Sequence, residues 1–341
     1  MLRGTPKGHE CLDSNGRRAI KRISMCSRPK VSVLIPAFNA EEFIGEAIYS
    51  VLKQDFQDFE LIVINDGSDD NTAKIVLGIS DNRIRLINQA NVGHCCARNR
   101  GIKESIGEYI AFLDADDVWS PYKLGKQVSL LDEKSEYGMI YSRGKVINAQ
   151  GDYLRPFAVP GFEGYILDKL LFNASLIHSS SVIIRKKIID VLGAFDEKLR
   201  SYEDWDLWLR VAVRYHIGFI NEPLFLLRVT KSGNSARKCR EQFFIEDLLF
   251  IINRVFEQHE VKMRIKSMKP LVLSNAYKME GFRNMYFYQM RKARQYFLQS
   301  IKHNPLKIEL YFALVYTILG SNISNFIHQK IWLSIKKYFM K

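Results

Sequence analysis

The sequence predicts an α/β protein with a mostly parallel sheet, followed by a helical extension at the C-terminus. From residue 31 to residue 113, apolar runs of strand length alternate with amphipathic segments of helical period. Such alternation is typical of right-handed βαβ units, whose strands pair in parallel. A chain of 341 residues is long enough for one large domain with an appendage, or for two domains.

We divide the chain into three parts: a disordered basic tail at residues 1–30, an α/β domain at residues 31–240, and a basic helical region at residues 241–341. The tail has few periodic apolar positions and several Gly and Pro residues, a composition that does not support a packed core. Met25 stands just before the first strand, so Met1 and Met25 are both candidate translation starts.

Four strands and three helices are predicted in the first half of the α/β domain. The strands cover residues 31–35, 61–64, 84–87 and 109–113, and the helices cover residues 41–53, 71–79 and 94–106. Asn39 is the candidate cap of the first helix, and Ser68 or Asp69 that of the second, after a tight turn at Gly67. Gly107 is expected to end the third helix.

The pattern becomes mixed after Pro121, which is expected to open a helix. Strands are predicted at residues 139–148 and 180–185, and a helix is predicted at residues 204–215. Residues 219–229 form a further strand, which Pro223 bends or restricts to a sheet edge.

The basic charge of the chain is concentrated at its ends. Fifteen Lys and Arg residues against only Glu280 and Glu309 lie from Lys262 to Lys341, a net +13 that equals the charge of the whole chain. Residues 1–30 carry eight basic and two acidic side chains, or +6, which leaves −6 for residues 31–261. A mildly acidic body with basic ends is expected to meet an anionic surface.

The C-terminal region is predicted to contain a helical hairpin packed on the main domain. Its pattern resembles one degenerate tetratricopeptide unit, with matching residues at Gly281, Ala293, Phe297 and Pro305. The apolar stretch at residues 310–319 is too short to span a bilayer. Apolar residues continue at near-helical spacing beside basic ones, at Ile327, Lys330, Ile331, Trp332, Ile335, Lys336, Lys337 and Tyr338. We therefore expect this end to bind an anionic membrane surface.

No apolar run approaches the roughly 18 residues of a membrane-spanning helix, and no signal-peptide pattern opens the chain. We expect a cytoplasmic protein, peripheral at the cytoplasmic face of the membrane. The five cysteines lack metal-ligand spacing and are expected to be reduced. No recognition motif for nucleic acid is found, so nucleic acid is not an expected partner.

Three carboxylates, those of Asp114, Asp116 and Asp117, crowd into four positions after the apolar run at residues 109–113. In a partly buried site they repel one another unless a cation neutralises them, and a divalent metal is the natural partner. Ligands of open α/β sheets gather beyond the carboxyl ends of such strands. The alternative is an acidic turn before the helix at Pro121, since Asp is a common turn residue.

The first strand is followed by Pro36-Ala-Phe-Asn39 and not by a glycine-rich phosphate loop, which argues against a dinucleotide site and against nucleotidyl transfer. Five blocks then occur in order, at residues 31–39, 65–72, 97–101, 113–119 and 203–208. They include Ala97-Arg-Asn-Arg-Gly101, Leu113-Asp-Ala-Asp-Asp-Val-Trp119 and Glu203-Asp-Trp-Asp-Leu-Trp208. In order and spacing they resemble the family-two inverting glycosyltransferases, which have the GT-A fold, from about residue 30 to residue 228.

The resemblance implies a nucleotide-sugar donor, with uridine as the expected nucleoside. Pro36, Ala37 and Asn39 match the block that meets the nucleoside. Asn65 stands where the family commonly has an acidic residue that accepts from uracil N3–H, and its amide oxygen can still accept. Asp66 is a neighbouring candidate or a cap of the turn. Arg98 matches an arginine that helps hold the nucleotide, and the alternative is a solvated helix face.

For the acidic cluster, the resemblance implies ribose contact chiefly by Asp116 and ligation of Mn²⁺ or Mg²⁺ by Asp117. Asp116 belongs to the metal site as well, and Asp114 supports both. Such a metal neutralises the departing diphosphate and needs only one or two protein carboxylates. His178 could approach the metal or the acceptor, or be a structural histidine.

Inversion needs a base for the attacking hydroxyl, and Asp204 matches the second residue of the family's Glu-Asp pair. Glu203 is the second choice, and the alternative for both is an acidic helix N-terminus favoured by the helix dipole. Trp205 and Trp208 could stack on sugar rings, although core packing is expected for Trp208. Arg228 and the loop at residues 231–235 resemble a basic lid over the diphosphate.

The function implied is transfer of a hexosyl or N-acetylhexosaminyl group from a UDP-sugar to a saccharide or lipid-linked saccharide, in surface polysaccharide or glycolipid assembly. The rival from another class is a catalytically idle sugar-nucleotide-binding module with a helical tail for partners. The acids of the metal site and Asp204 disfavour that rival. The donor sugar, the acceptor and the oligomeric state stay open.

Overall fold

The computed structural model describes residues 28–157, 159–230 and 245–319, together with a short antiparallel pair, β1 (Cys11–Leu12) and β2 (Arg18–Ala19). Most of the predicted disordered tail lies outside the described residues. The loop at residues 231–235 and the apolar and basic positions from Ile327 to Tyr338 lie outside them as well.

Nine strands form one sheet across the described residues. They are β3 (Val31–Ala37), β4 (Phe59–Asp66), β5 (Ile84–Gln89), β6 (Tyr109–Phe112), β7 (Val118–Trp119), β8 (Tyr137–Ile147), β9 (Tyr153–Phe157), β10 (Ile183–Arg185) and β11 (His216–Arg228). The order is β5-β4-β3-β6-β10-β8-β11-β7, with β9 paired to β8. Strands β3, β4, β5, β6, β8 and β11 share one direction and β7, β9 and β10 are reversed, so the mostly parallel sheet is confirmed.

Helices cover both faces of the sheet and dominate the C-terminal part. They are α1 (Ile44–Leu52), α2 (Thr72–Leu77), α3 (His94–Glu104), α4 (Lys123–Glu133), α5 (Leu167–Phe172), α6 (Lys186–Leu192), α7 (Glu203–Arg214), α8 (Ile245–Glu257), α9 (Met263–Lys266), α10 (Lys269–Tyr286), α11 (Met290–His303) and α12 (Ile308–Leu319). No helix within these described residues has the length and apolar character needed to cross a membrane.

Strand β3 shows why the sheet is covered on both sides. Its residue Leu34 packs in the cluster that includes α3 and α7, whereas Val33 and Ile35 pack in the cluster that includes α1 and α4. All three are fully buried, and each such side chain contributes about 1.5–3 kcal/mol relative to exposure. A strand with two buried faces is almost continuously apolar, and in β3 Ser32 is the one polar residue.

The predicted helix caps are wrong. Helix α1 begins at Ile44 without a side-chain cap, because a turn separates it from Asn39. Asn39 adopts a left-handed conformation (φ 48°) and its Oδ1 accepts from Asp69 N at 3.1 Å. Before α2 it is Asp70, and not Ser68 or Asp69, whose carboxylate accepts from the Thr72 amide, at 2.9 Å.

Two other local predictions are corrected. Helix α3 ends at Glu104, and Gly107 instead lies against β3, where its amide donates to Ser32 Oγ at 2.8 Å and an added Cβ would lie 2.5 Å from Ser32 N. The strand predicted at residues 180–185 begins only at Ile183, because Ser179–Ser181 form a 3₁₀ turn.

Pro223 has the predicted effect on β11. The parallel pairing of β11 with β8 shifts register on both sides of Pro223. On its other side β11 pairs with β7 only at Phe225 and Leu226, so the strand is near the sheet edge. Proline is tolerated there because its missing N–H interrupts few ladder bonds.

The C-terminal hairpin is present as α10 and α11. A Cβ at Gly281 would lie 2.5 Å from the Phe297 ring, so only glycine allows this close approach, and Ala293 is fully buried in the same cluster. Val272 and Ala276 on α10 pack in the cluster that contains α7, which joins the hairpin to the main body. Helix α8 shares that cluster too, and the division at residue 240 stays a prediction.

Candidate active site

The acidic residues singled out in the sequence gather at one edge of the sheet. Asp66 ends β4, and Asp114 follows β6 by two residues. Strands β4, β3 and β6 are parallel neighbours, so their carboxyl ends lie side by side. The first turn of α7 brings Glu203 and Asp204 to the same edge. This is the position where open α/β sheets bind ligands.

The 3₁₀ turn Ser179–Ser181 holds both acidic groups together. Ser180 Oγ donates to Asp117 Oδ2 at 2.6 Å and accepts from the Asp114 amide at 3.1 Å. Ser179 Oγ donates to Asp204 Oδ2. Sequence reasoning gave these serines no role, although the run His178-Ser-Ser-Ser181 was a visible signal.

Three side chains have ligand atoms close enough to share one cation: Asp114, Asp117 and His178, all within 4.8 Å of one another. Carboxylate oxygens and an imidazole nitrogen suit Mn²⁺, and carboxylates suit Mg²⁺. The imidazole of His178 stacks on Phe225 with ring centroids 5.4 Å apart, which fixes its plane. The residues present therefore fit a divalent metal, and Asp116 does not belong to this group of three.

Burial and mutual repulsion perturb the acidic cluster. Burial, and then the charges of Asp116 and Asp114, raise the pKa of Asp117 well above its usual value. Burial and the charge of Asp114 raise the pKa of Asp116 to about 6. A bound cation would favour the ionised carboxylates, so we expect metal binding to release protons from this cluster.

Arg228 is buried beneath the cluster and supports it. Its amide donates to Asp117 Oδ1 at 3.0 Å, and its Nε donates to the Asp116 carbonyl at 2.9 Å. Its guanidinium also pairs with Glu46 and lies over the Phe43 ring at 4.7 Å. The side chain is thus engaged in contacts within the protein, and the lid role that the resemblance implies for Arg228 stays a prediction.

The Glu203-Asp204 pair is held from α3. Arg98 Nη1 donates to Asp204 Oδ1 at 2.6 Å, and Arg98 Nη2 donates to Asp114 Oδ1 at 2.7 Å. His94 Nε2 lies 2.6 Å from Glu203 Oε1, a contact that sequence reasoning missed. The Glu203 side chain is only 4% exposed, whereas that of Asp204 is 29% exposed. Asp204 is thus the more exposed acid of this pair.

The residues expected to meet the nucleoside lie at the ends of β3 and β4. Pro36 is partly buried, Ala37 is buried and Asn39 is exposed. Asn65 Oδ1 accepts from the Ser68 amide at 3.2 Å, and its Nδ2 donates to Asn88 Oδ1 at 2.9 Å.

Asp66 is occupied by the loop before α3. Its carboxylate accepts from the amides of Val92 and Gly93, at 3.1 and 2.9 Å, and from Gln89 Nε2 at 2.8 Å. These contacts fix the loop that leads into α3, so they position Arg98 indirectly. This loop is not the turn after β4 that Asp66 was expected to cap, and the nucleotide role of Asp66 stays a prediction.

Both candidate sugar-stacking tryptophans belong to the core. Trp208 is fully buried, and Trp205 is buried with its Nε1 donating to the Leu170 carbonyl at 2.8 Å. A ring with no exposed face cannot stack on a sugar, so that expectation for Trp205 is wrong and core packing for Trp208 is confirmed.

Comparison with known proteins identifies the family to which this chain belongs. The family model described as glycosyl transferase family 2 matches residues 32–193. A relative from Escherichia coli, named UDP-Glc:alpha-D-GlcNAc-diphosphoundecaprenol beta-1,3-glucosyltransferase WfgD, is 35% identical over 214 residues, which cover 62% of this chain and 81% of that protein. The chain belongs to glycosyl transferase family 2.

Other family relatives are longer than the matched region. An uncharacterized glycosyltransferase of Rickettsia felis is 34% identical over 189 residues, which cover 54% of this chain and 31% of that protein. The chain therefore spans less than a third of that relative.

Solved structures of low identity share the GT-A fold. S. aureus TarS 1-349, solved also with UDP-GlcNAc, superposes with a TM-score of 0.60 at 21% identity and covers 91% of this chain and 89% of that chain. A mannosyltransferase from Pyrobaculum calidifontis, solved with GDP-Man and Mn2+, gives a TM-score of 0.57 at 17% identity, over 92% of this chain and 86% of that chain.

The metal site predicts a Mn²⁺-dependent gain in stability that requires Asp117. A cation that binds only the folded state adds about 2.7 kcal/mol at a hundred times its Kd, so Mn²⁺ should raise the unfolding midpoint of the unsubstituted protein. Asp117→Asn should lose this shift. Its metal-free midpoint should equal or exceed that of the unsubstituted protein, because the substitution removes a buried charge that Asp114 and Asp116 repel.

The measurement is thermal unfolding with MnCl₂ and with chelator. Asp190→Asn is the matched control, because Asp190 is an exposed carboxylate paired only with Lys186 among the ion pairs of the described residues. The control should keep the full Mn²⁺ shift. An equal shift in Asp117→Asn would contradict the metal assignment.

Proposed function

We propose that this chain is an inverting, metal-dependent glycosyltransferase that moves a hexosyl or N-acetylhexosaminyl group from UDP to a saccharide or lipid-linked saccharide. The observation that carries the proposal is the joining of two acidic groups at one sheet edge. A three-residue cation site and an accessible carboxylate, Asp204, are linked there through Arg98 and the Ser179–Ser181 turn. A cation that activates the donor and a carboxylate that deprotonates the acceptor must lie side by side in such an enzyme.

UDP is the proposed donor nucleotide. The E. coli relative WfgD is named for UDP-Glc, and TarS was solved with UDP-GlcNAc, whereas the Pyrobaculum enzyme was solved with GDP-Man. In this chain Pro36, Ala37, Asn39 and Asn65 would face the nucleoside. Asn65 Oδ1 accepts one backbone bond and has a second lone pair for a uracil N3–H.

Asp117, Asp114 and His178 would hold Mn²⁺ or Mg²⁺, with Asp116 toward the ribose or in the metal site. When bound, the metal supplies charge neutralisation to the departing diphosphate. The Asp117 carboxylate is held in place without a metal, because Ser180 Oγ donates to its Oδ2 and the Arg228 amide donates to its Oδ1. A preformed set of ligands avoids reorganisation during the reaction.

Asp204 is the proposed base. Its side chain is the accessible one of the pair, and an inverting transfer needs a carboxylate within hydrogen-bond reach of the attacking hydroxyl. Glu203 is nearly buried against His94 and Arg98, so we assign it to holding the start of α7. Three acids in the first turn of α7 are also favoured by its dipole, and that effect is compatible with a catalytic role.

The acceptor is proposed to lie at an anionic membrane, in surface polysaccharide or glycolipid assembly at the cytoplasmic face. WfgD is named for a lipid-linked acceptor. Residues 262–319 of this chain carry eleven Lys and Arg against Glu280 and Glu309, a net +9. Helix α12 buries Leu310 and Ala313 but exposes a second apolar stripe at Ile308, Tyr311, Phe312, Val315 and Ile318. Apolar side chains beside excess positive charge match an anionic bilayer surface.

The rival proposal is a catalytically idle module that binds nucleotide sugars and presents its helices to a protein partner. It predicts donor binding without turnover. Screening the purified protein for Mn²⁺-dependent hydrolysis of a panel of nucleotide sugars separates the two proposals, and hydrolysis of none of them would favour the module.

Loss of the Asp204 carboxylate should affect turnover and not donor binding. Asp204→Asn should lower transfer from UDP-glucose to a GlcNAc-diphosphate lipid by about a hundredfold or more, while UDP affinity changes by less than about twofold. The measurements are initial rates and calorimetric UDP binding with Mn²⁺. Glu203→Gln is the comparison. Near-normal turnover in Asp204→Asn, with loss in Glu203→Gln, would move the base to Glu203.

The membrane proposal predicts that vesicle binding depends on the α12 stripe. The unsubstituted protein should sediment with vesicles that contain phosphatidylglycerol and be released at high salt. Phe312→Asp with Ile318→Asp should weaken sedimentation by more than about tenfold, because each inserted apolar side chain contributes about 1.5–3 kcal/mol. Leu77→Asp is the control, since Leu77 is an apolar residue even more exposed than Phe312 and Ile318 but lies on α2, away from the α12 stripe. Equal sedimentation of both variants would contradict the proposal.

A further inference from the structure

Arg98 occupies the centre of the acidic site and is itself almost inaccessible. Its side chain is 5% exposed and projects from α3 between the acids of β6 and those of α7. Its two terminal nitrogens make separate bonds, to Asp204 at 2.6 Å and to Asp114 at 2.7 Å, and Nη1 also lies 3.6 Å from Glu203. One guanidinium thus lies against three carboxylates from two places far apart in the sequence, Asp114 after β6 and the adjacent pair Glu203 and Asp204 on α7.

The packing around Arg98 leaves it little freedom. Its guanidinium carbon lies 5.4 Å from the centre of the Phe195 ring. Asp66 holds the loop that begins α3, through the amides of Val92 and Gly93. A side chain fixed in this way, with its charged end turned to carboxylates, is poorly placed to reach a nucleotide.

The Asp204 carboxylate is clamped on both oxygens. Arg98 bonds Oδ1, and Ser179 Oγ bonds Oδ2. Two bonds to opposite oxygens fix the plane of the carboxylate as well as its position. Charge-assisted bonds of the Arg–carboxylate type are the stronger and more directional ones in proteins. Misplacement of a catalytic group by about 1 Å can cost a hundredfold in rate, so a clamp on the Asp204 carboxylate is expected to affect turnover.

We propose that Arg98 is a positioning residue that fixes Asp204 for the acceptor and joins it to Asp114, and that it does not hold the nucleotide. This proposal rests on the proposed function, with Asp204 as the base. It reverses the role that the sequence resemblance implies for Arg98. Loss of Arg98 should therefore reduce turnover through Asp204 and leave nucleotide affinity unchanged.

The test is a double-substitution cycle with Arg98→Met, Asp204→Asn and both together, assayed for transfer from UDP-glucose and for UDP binding by calorimetry. Arg98→Met should lower kcat by about 10- to 100-fold and change the UDP Kd by less than about twofold. In the Asp204→Asn background, the same change should cost less than about threefold, because the group through which Arg98 acts is already gone.

Two further variants guard against a purely structural effect. Arg98→Lys keeps a charge but cannot reach both carboxylates in a forked geometry, so it should recover part of the lost kcat. Arg100→Met is the matched control on α3, since Arg100 is half exposed and pairs with Glu104, and it should leave kcat and the unfolding midpoint unchanged. If Arg98→Met unfolds, the Arg98→Lys cycle replaces it.

The outcomes separate the two proposals. A UDP Kd weakened by about tenfold or more in Arg98→Met and Arg98→Lys would restore the nucleotide-binding role and overturn ours. Our proposal for Arg98 would also be overturned if the kcat of the double variant fell by the product of the two single losses. Either result leaves the proposed function intact, because the unsubstituted protein would still transfer sugar. An unsubstituted protein that transfers sugar from no nucleotide sugar would instead overturn the proposed function, and with it the role of Arg98.

Discussion

Excess negative charge at one edge of the sheet is the constraint on which the rest of this structure depends. Five carboxylates meet there, on Asp114, Asp116, Asp117, Glu203 and Asp204, and two buried arginines, Arg98 and Arg228, partly balance them. The raised pKa values of Asp116 and Asp117 follow first from burial and then from the charges of the neighbouring aspartates. The ionised form of these carboxylates is therefore unfavourable until a bound cation neutralises part of their charge.

The fold positions these charges through elements distant in sequence. Parallel pairing of β3, β4 and β6 brings the loops after them to one edge, and α3 and α7 bring the arginine and the second acidic pair. The Ser179–Ser181 turn then bonds both acidic groups. Because each contact joins a different pair of elements, a substitution that breaks one contact is expected to weaken the others.

Much of the framework could be predicted from the sequence, and the cross-connections could not. The strands β3, β4, β5 and β6 and the acids after β6 were visible because apolar runs and short motifs are local. The cap expected at Asn39 was wrong because a left-handed turn redirects its side chain to the next loop. The bonds of Arg98 to Asp204 and of Ser180 to Asp117 span 106 and 63 residues, and only the tertiary fold brings such partners together.

Proton release on metal binding tests the central claim most directly. If the acidic cluster loses protons when it binds a cation, then binding of Mn²⁺ and UDP to the protein near pH 6 will release protons. The release is measured by titration calorimetry in buffers of different ionisation enthalpy. The part of this release that comes from Asp116 will decrease toward pH 8, because the pKa of Asp116 is about 6 and its proton is already lost there. Mn²⁺ binding without proton release near pH 6, or UDP binding that is unaffected by chelator, would contradict the account.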